Sequence, residues 1–232
     1  PPRHAVILDL NAGSGLLTWE ALRRAPEGGV FALARDDTAA AALQLQAERL
    51  PEVERPQVLR GDVDDLPALL AEVGSGDVRF DLVVGRNALT QHPDKARALR
   101  VVAALLRPDG VISLAEAVPR HTQRLYDLVD LGALDAALAE ALLAAEEAIY
   151  ADPGDAMTNW DVVDLRHALQ AAGLADVAVE AVTMTREIPV TPDLIARWFD
   201  PSTGDRPSYG QCLTRHLGPA ALANVRALYA RE

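Results

Sequence analysis

The 232 residues carry 22 Lys and Arg against 34 Asp and Glu, for a net charge of −12, and half of them are apolar. That balance supports a substantial core and excludes a free-standing, non-specific nucleic-acid binder, which needs clustered cations, though not a nucleic acid presented by a partner. The one cysteine, Cys212, excludes an internal disulfide and any multi-cysteine metal site, and no run nears the ~20 apolar residues of a membrane span.

The first strand reads from Ala5 to Leu10, branched and apolar except for Asp9, as a strand buried on both faces should be. Asn11-Ala12-Gly13-Ser14-Gly15 follows, and then a helix from Leu16 to Arg24. The second strand runs from Val30 to Ala34, and Arg35-Asp36-Asp37-Thr38 closes it and caps an Ala-rich helix through Leu50. A third strand, Gln57 to Arg60, ends in Gly61-Asp62, followed by a helix from Asp65 to Val73 and a fourth strand, Phe80 to Val84. Leu99, Val102, Ala103 and Leu106 recur at helical spacing and predict a helix from Pro93 to Leu106. Pro108-Asp109-Gly110 then reads as a turn into a fifth strand, Val111 to Ala117. Strands alternating with helices predict an α/β fold, a doubly wound, mostly parallel open sheet with helices on both faces.

The second half is less regular. Arg120 to Tyr150 is helical in composition with an interruption at Gly132, and Trp160 to Ala172 reads as a helix capped from Thr158 or Asn159. Alternation of Val177, Val179 and Ala181 predicts a strand from Ala175 to Glu187. Thr191 to Phe199 and Pro219 to Ala230 read as helices around the loop Asp200 to Ser208. With no repeat and no linker, one domain over 1–232 is expected: a ligand-binding core at 1–118, a helical insertion at 119–160 and C-terminal helices and strand at 161–232. The insertion is long for a connection and is expected to cap the ligand mouth; hydrogen exchange unchanged by ligand would remove that expectation. Pro1-Pro2-Arg3-His4 is not a signal peptide, and a start without Met, directly before a core strand, reads as a fragment of a longer protein or as a trimmed chain.

A strand, a glycine turn and a helix in that order place backbone N–H groups at a helix N-terminus beside a parallel strand end, where a polar ligand can be held. The dinucleotide pattern needs a third glycine; Thr18 stands there, which disfavours nicotinamide and flavin cofactors, and no Gly-Lys-Ser/Thr follows to make a P-loop. Asp9 lies just ahead of the turn, Asp36 lies about 20 residues beyond the glycines where a ribose carboxylate falls, and Asp62 could accept from an adenine amino group. Each is also a common helix cap or turn residue when taken singly. Together they describe a site for an adenosine with a cationic or amino-acid tail.

Asp9-Leu10-Asn11-Ala12-Gly13-Ser14-Gly15, with Gly61-Asp62 and Phe80-Asp81-Leu82-Val83-Val84, resembles a class I S-adenosylmethionine-dependent methyltransferase, well over Ala5 to Ala117 and loosely beyond. The resemblance implies S-adenosyl-L-methionine as cofactor, a seven-stranded Rossmann-like sheet, the methionine moiety at Gly13–Gly15, a carboxylate on the ribose and Asp62 beside the adenine. Asn11, Ser14 and Arg86 complete the candidate cofactor contacts. In the family the ribose carboxylate ends the second strand, where Ala34 stands here; a bulged strand end brings Asp36 into place, or Asp37 or a water substitutes. The family's last antiparallel strand has no counterpart after Glu187, so residues beyond Glu232 supply it or the protein lacks it.

Gly85-Arg86-Asn87-Ala88-Leu89, Ala115-Glu116, Pro119-Arg120, Gln123-Arg124-Leu125-Tyr126, Asn159-Trp160 and Arg197-Trp198-Phe199 are similar to a methyltransferase-like domain fused behind AAA-type ATPases of replication and recombination. On the acceptor side, Arg86 and Asn87 could orient a methyl acceptor and Glu116 could serve as base, while a plain Arg86–Glu116 ion pair between strand ends is the structural alternative. Arg120 and Arg124 would share a helical face able to hold an anionic acceptor, with Tyr126 beside them, or mark a solvated helix start. The Asn-Pro-Pro-Tyr pattern of base methylation is absent. The leading expectation is a cytoplasmic methyltransferase acting on an unidentified acceptor. The second is a non-catalytic cofactor-binding module that regulates or recruits an AAA-type ATPase, and the third, a nicotinamide-dependent reductase, suffers from Thr18.

Overall fold

The computed structural model describes all residues except Asp205, Arg231 and Glu232. Five parallel strands form one sheet in the order β3-β2-β1-β4-β5, with β1 Val6–Asp9, β2 Gly29–Ala34, β3 Gln57–Arg60, β4 Phe80–Arg86 and β5 Leu106–Ala115. Strand order reverses at β1, so the crevice above the carboxyl ends of β1 and β4 is the ligand position this topology creates. The helices of this part are α1 Leu16–Arg24, α2 Asp37–Ala47, α3 Leu66–Glu72 and α4 Lys95–Ala104.

Alternation along β1 decides which face each side chain serves. Leu8 and Leu10 join Leu33, Leu59, Leu66, Leu70, Phe80 and Leu99 in one buried cluster, and Ile7 joins Ala21 of α1 and Ala25, which follows it, on the other face. Asp9 shares the parity of Ile7 and so meets α1. Capping sets the helix starts: Asp36 accepts from the Ala39 N–H at 2.8 Å, and Asp94 from the Arg97 N–H at 2.8 Å.

Asp81 fastens the amino end of the central strands. Its carboxylate accepts from the Val6 N–H at 2.7 Å and from Arg107 at 2.6 Å, and the Val6 bond, ahead of the Arg107 guanidinium, holds its pKa below the usual carboxylate range. A depressed pKa contributes stability above the ordinary value that is lost as pH falls through the folded one. Asp81→Ala is expected to cost about 2 kcal/mol near neutral pH, by the worth of charged hydrogen bonds. Urea titrations of the two proteins should converge in acid; a difference independent of pH would remove the carboxylate from the explanation.

Two expectations are corrected. Leu106 continues the helical spacing of α4 but belongs to β5, where it pairs with Phe80; Val111 pairs with Leu82, and residues 107–110 form an irregularity inside the strand rather than a turn before it. Residues 175–187 form no strand, and among the described residues no strand follows Ala115. The alternation finds no neighbouring strand to pair with, and Val182 and Met184 are exposed.

The chain divides into two compact units, residues 1–117 with 162–179 and residues 118–161 with 180–232. In the first, α6 Val162–Ala171 lays Leu165, Ala168 and Leu169 against the core that contains α4. In the second, α5 Ala136–Ala151, α7 Pro192–Phe199, α8 Tyr209–Leu213 and α9 Pro219–Tyr229 enclose Leu142, Ile195, Phe199, Leu213 and Tyr229. Buried Glu146 accepts there from the Leu125 and Tyr126 N–H groups and from the Tyr209 hydroxyl at 2.6 Å, and its burial raises its pKa. The stretch 120–135 forms three short 3-10 turns rather than helix.

Candidate functional site

The turn after β1 is built so that its own polar groups are tied down while its backbone faces outward. Gly15 is the N-cap of α1 in the left-handed region (φ +82°), and no side chain caps the helix. The first N–H groups of α1 therefore lack intrahelical partners at the positive end of the helix dipole. Gly13 (φ +44°) and Ser14 are exposed, and no acidic residue occupies the first turn of α1.

Asp9 is fully buried beneath this turn. It accepts from the Thr18 hydroxyl at 2.8 Å and the Asn11 N–H at 3.3 Å, and burial raises its pKa against the opposing pull of those donors. Thr18, which stands where a dinucleotide fold needs glycine, thus binds the carboxylate that anchors the turn. Asn11 donates to the carbonyls of Arg86 at 2.9 Å and Asn87 at 3.3 Å, joining the β1 turn to the end of β4. Asn87 adopts positive φ (52°), and its side chain accepts from the Ala117 N–H at 2.9 Å.

The other candidates sit as follows. The register between β2 and β3 runs unbroken through Ala34, so no bulge carries Asp36 inward; exposed Asp36 caps α2, and Asp37 pairs with Arg60 at 2.8 Å. Asp62 caps the 3-10 turn at 63–65 through the Val63 N–H at 2.6 Å and is half exposed, 3.8 Å from the buried imidazole of His92. Arg86 and Glu116 do not pair. Arg86 is exposed, with no ion pair among the described residues, whereas Glu116 accepts from the N–H groups of Ala88 (2.9 Å) and Leu89 (3.2 Å) and from the Thr90 hydroxyl (2.7 Å).

Arg120 and Tyr126 lie in the second unit. Arg120 and Arg124 share no helix: Arg120 is in a 3-10 turn, and Arg124 is committed to Glu147 at 2.8 Å and to the face of Tyr150. Tyr126 donates to Glu147 at 2.7 Å, and that bond pushes its pKa up to about 12.

One residue at the strand ends went unassigned in the sequence reading. Arg35 follows β2 directly, and its guanidinium crosses to donate to the carbonyl of Ala88, beyond the end of β4. Since β1 lies between β2 and β4, this bond joins the chain ends on either side of β1. Its Nε is buried with no hydrogen-bond partner. The available signal was its position, 20 residues after Gly15 and directly between Ala34 and Asp36.

Residues 8–112 match the family model described as a methyltransferase domain. A search of curated proteins finds no match. Among solved structures, the cyclopropane synthase MmaA2 of Mycobacterium tuberculosis is 21% identical with a TM-score of 0.49, covering 74% of this chain and 55% of its own. The mycolic acid cyclopropane synthase CmaA1, complexed with SAH and CTAB, is 18% identical with a TM-score of 0.48 and the same two coverages, 74% and 55%. The glycopeptide N-methyltransferase MtfA, complexed with S-adenosyl-L-methionine, is 23% identical with a TM-score of 0.40, covering 54% of each chain. The chain thus spans about half the length of these structures. No helix among the described residues is long and apolar enough to cross a membrane.

Proposed function

We propose that this chain is an S-adenosylmethionine-dependent methyltransferase whose cofactor lies over the turn Gly13-Ser14-Gly15. The observation that carries the reading is the coincidence of the methyltransferase-domain match with a strand, a two-glycine turn exposed at Gly13 and Ser14 and a helix start without a side-chain cap, at the switch point of the sheet. The donors present fit the methionine end of the ligand: open backbone at Gly13 and Ser14, and a buried donor without a partner on Arg35. The ribose end has no carboxylate at the terminus of β2, because Ala34 is buried there.

The cofactor, when bound, supplies a methyl group already activated on a sulfonium, so the protein's task is alignment more than acid–base chemistry. Asn11 and Asn87 hold the β1 and β4 ends in register beneath that position. In this reading Glu116 is a positioning residue, because its oxygens are spent on the 88–90 backbone and the Thr90 hydroxyl. Exposed Arg86 is the side chain placed to meet an acceptor over the ends of β4 and β5.

The test is formation of S-adenosylhomocysteine from S-adenosylmethionine by the purified chain, supplied with fractionated cell extract or nucleic acid. Turnover dependent on an added fraction is expected. Calorimetric binding without turnover in any fraction would favour a non-catalytic cofactor-binding module. Absence of binding to either adenosyl ligand would end both readings.

A further inference from the structure

We propose that Arg35 is a ligand residue, and that it pairs with the α-carboxylate of the methionine moiety. This rests on the reading that an adenosyl ligand occupies the Gly13–Gly15 edge. Three observations lead to it.

The first is position: the side chain starts at the end of β2 and finishes on Ala88 beyond β4, so it links the two chain ends that flank β1, beside the place where the ligand would lie. A ligand entering there meets the guanidinium.

The second is an unmet donor. A guanidinium has five N–H donors and no acceptor, and here the buried Nε has no partner. A buried donor without an acceptor is costly, and the cost disappears when a ligand oxygen arrives.

The third is charge. The carboxylates at this edge are already engaged, Asp9 by Thr18 and Asn11, Asp36 by Ala39, and Glu116 by Ala88, Leu89 and Thr90, while Arg35 pairs with none. In S-adenosylmethionine the sulfonium and ammonium would be repelled by a guanidinium and the ribose hydroxyls are neutral. The carboxylate is the one group of opposite charge, and Arg is suited to bind it through two parallel bonds. A cation after β2 thus replaces recognition of the ribose by recognition of the amino-acid tail.

The experiment titrates the purified chain by calorimetry with S-adenosylhomocysteine and with 5′-methylthioadenosine, which keeps the adenosine and the sulfur but lacks the amino-acid end. Arg35→Gln should weaken S-adenosylhomocysteine roughly tenfold, the worth of one charge-assisted pair, and leave 5′-methylthioadenosine within about twofold. Arg35→Lys, which keeps charge without the fork, should recover part of the loss. It also serves if thermal melting shows that Arg35→Gln does not fold. Equal weakening of both ligands would make Arg35 a strut of the scaffold, and tighter binding of both would make it a plug; either overturns the assignment while the adenosyl site stands. If the wild-type chain binds neither ligand, the assignment falls together with the methyltransferase reading.

Discussion

Gly15→Val is expected to lose about 4 kcal/mol of stability, the sum of overpacking and of forcing a branched residue to positive φ. The geometry is specific. A Cβ at position 15 would sit 2.4 Å from the Trp19 indole nitrogen and 2.8 Å from Leu43, at φ +82°. Trp19 belongs to α1 and Leu43 to α2, so relief of the clash must move side chains on two helices. Gly13→Val differs: its Cβ would find only the Asn11 carbonyl, at 3.8 Å, and carries φ strain alone, about 1–3 kcal/mol. A valine is therefore expected to spare the fold at position 13 and not at position 15. Thermal melting should separate the two proteins clearly, while calorimetry should find adenosyl binding lost in any Gly13→Val chain that folds, because the valine covers the exposed turn. Full affinity in folded Gly13→Val would move the ligand away from the turn.

The first half of the fold was readable because each element there carries its own signal. Val6 to Leu8 is branched and apolar, and the following glycines and Asp36 mark the starts of α1 and α2. Readability failed where a local pattern competed with a distant partner. Leu106 continues the spacing of Leu99 and Val102, yet pairing with Phe80 draws it into the sheet. Residues 175–187 alternate as a strand does, yet alternation cannot supply the neighbour a strand needs. At the site, Asp9 and Asn11 were found in sequence, but as ligand contacts; their bonds to Thr18 and to the Arg86 carbonyl appear only when the strands are side by side. Arg35 carries no such signal, because it stands between Ala34, where the family places its carboxylate, and Asp36, the nearest acid, and its bond to the Ala88 carbonyl exists only once β2 and β4 flank β1.

Removing the Glu116 side chain is the second perturbation expected to be large. Ala88 and Leu89 are fully buried and Thr90 nearly so, and the carboxylate is the acceptor for two of their backbone N–H groups and for the Thr90 hydroxyl. Glu116→Ala strands the two N–H groups, while the Thr90 hydroxyl keeps the Ala117 carbonyl at 3.3 Å, and at about 1–3 kcal/mol for each unmet group a loss of about 4 kcal/mol is expected. Glu116→Gln keeps one acceptor oxygen but turns an amide toward other donors, so roughly half that loss follows from the same accounting. A second consequence reaches the ligand. The Ala88 peptide donates to Glu116 through its N–H, while the Ala88 carbonyl accepts from Arg35, so loosening residues 88–90 also frees the guanidinium that joins the chain ends on either side of β1. In a Glu116→Gln chain that remains folded, affinity for S-adenosylhomocysteine should fall while that for 5′-methylthioadenosine changes little. A general base predicts the reverse pattern: unchanged melting temperature, unchanged affinity and a lost acidic limb in the pH dependence of turnover. Melting curves and the two titrations together decide between them, and an undiminished melting temperature in Glu116→Ala would refute the anchoring role.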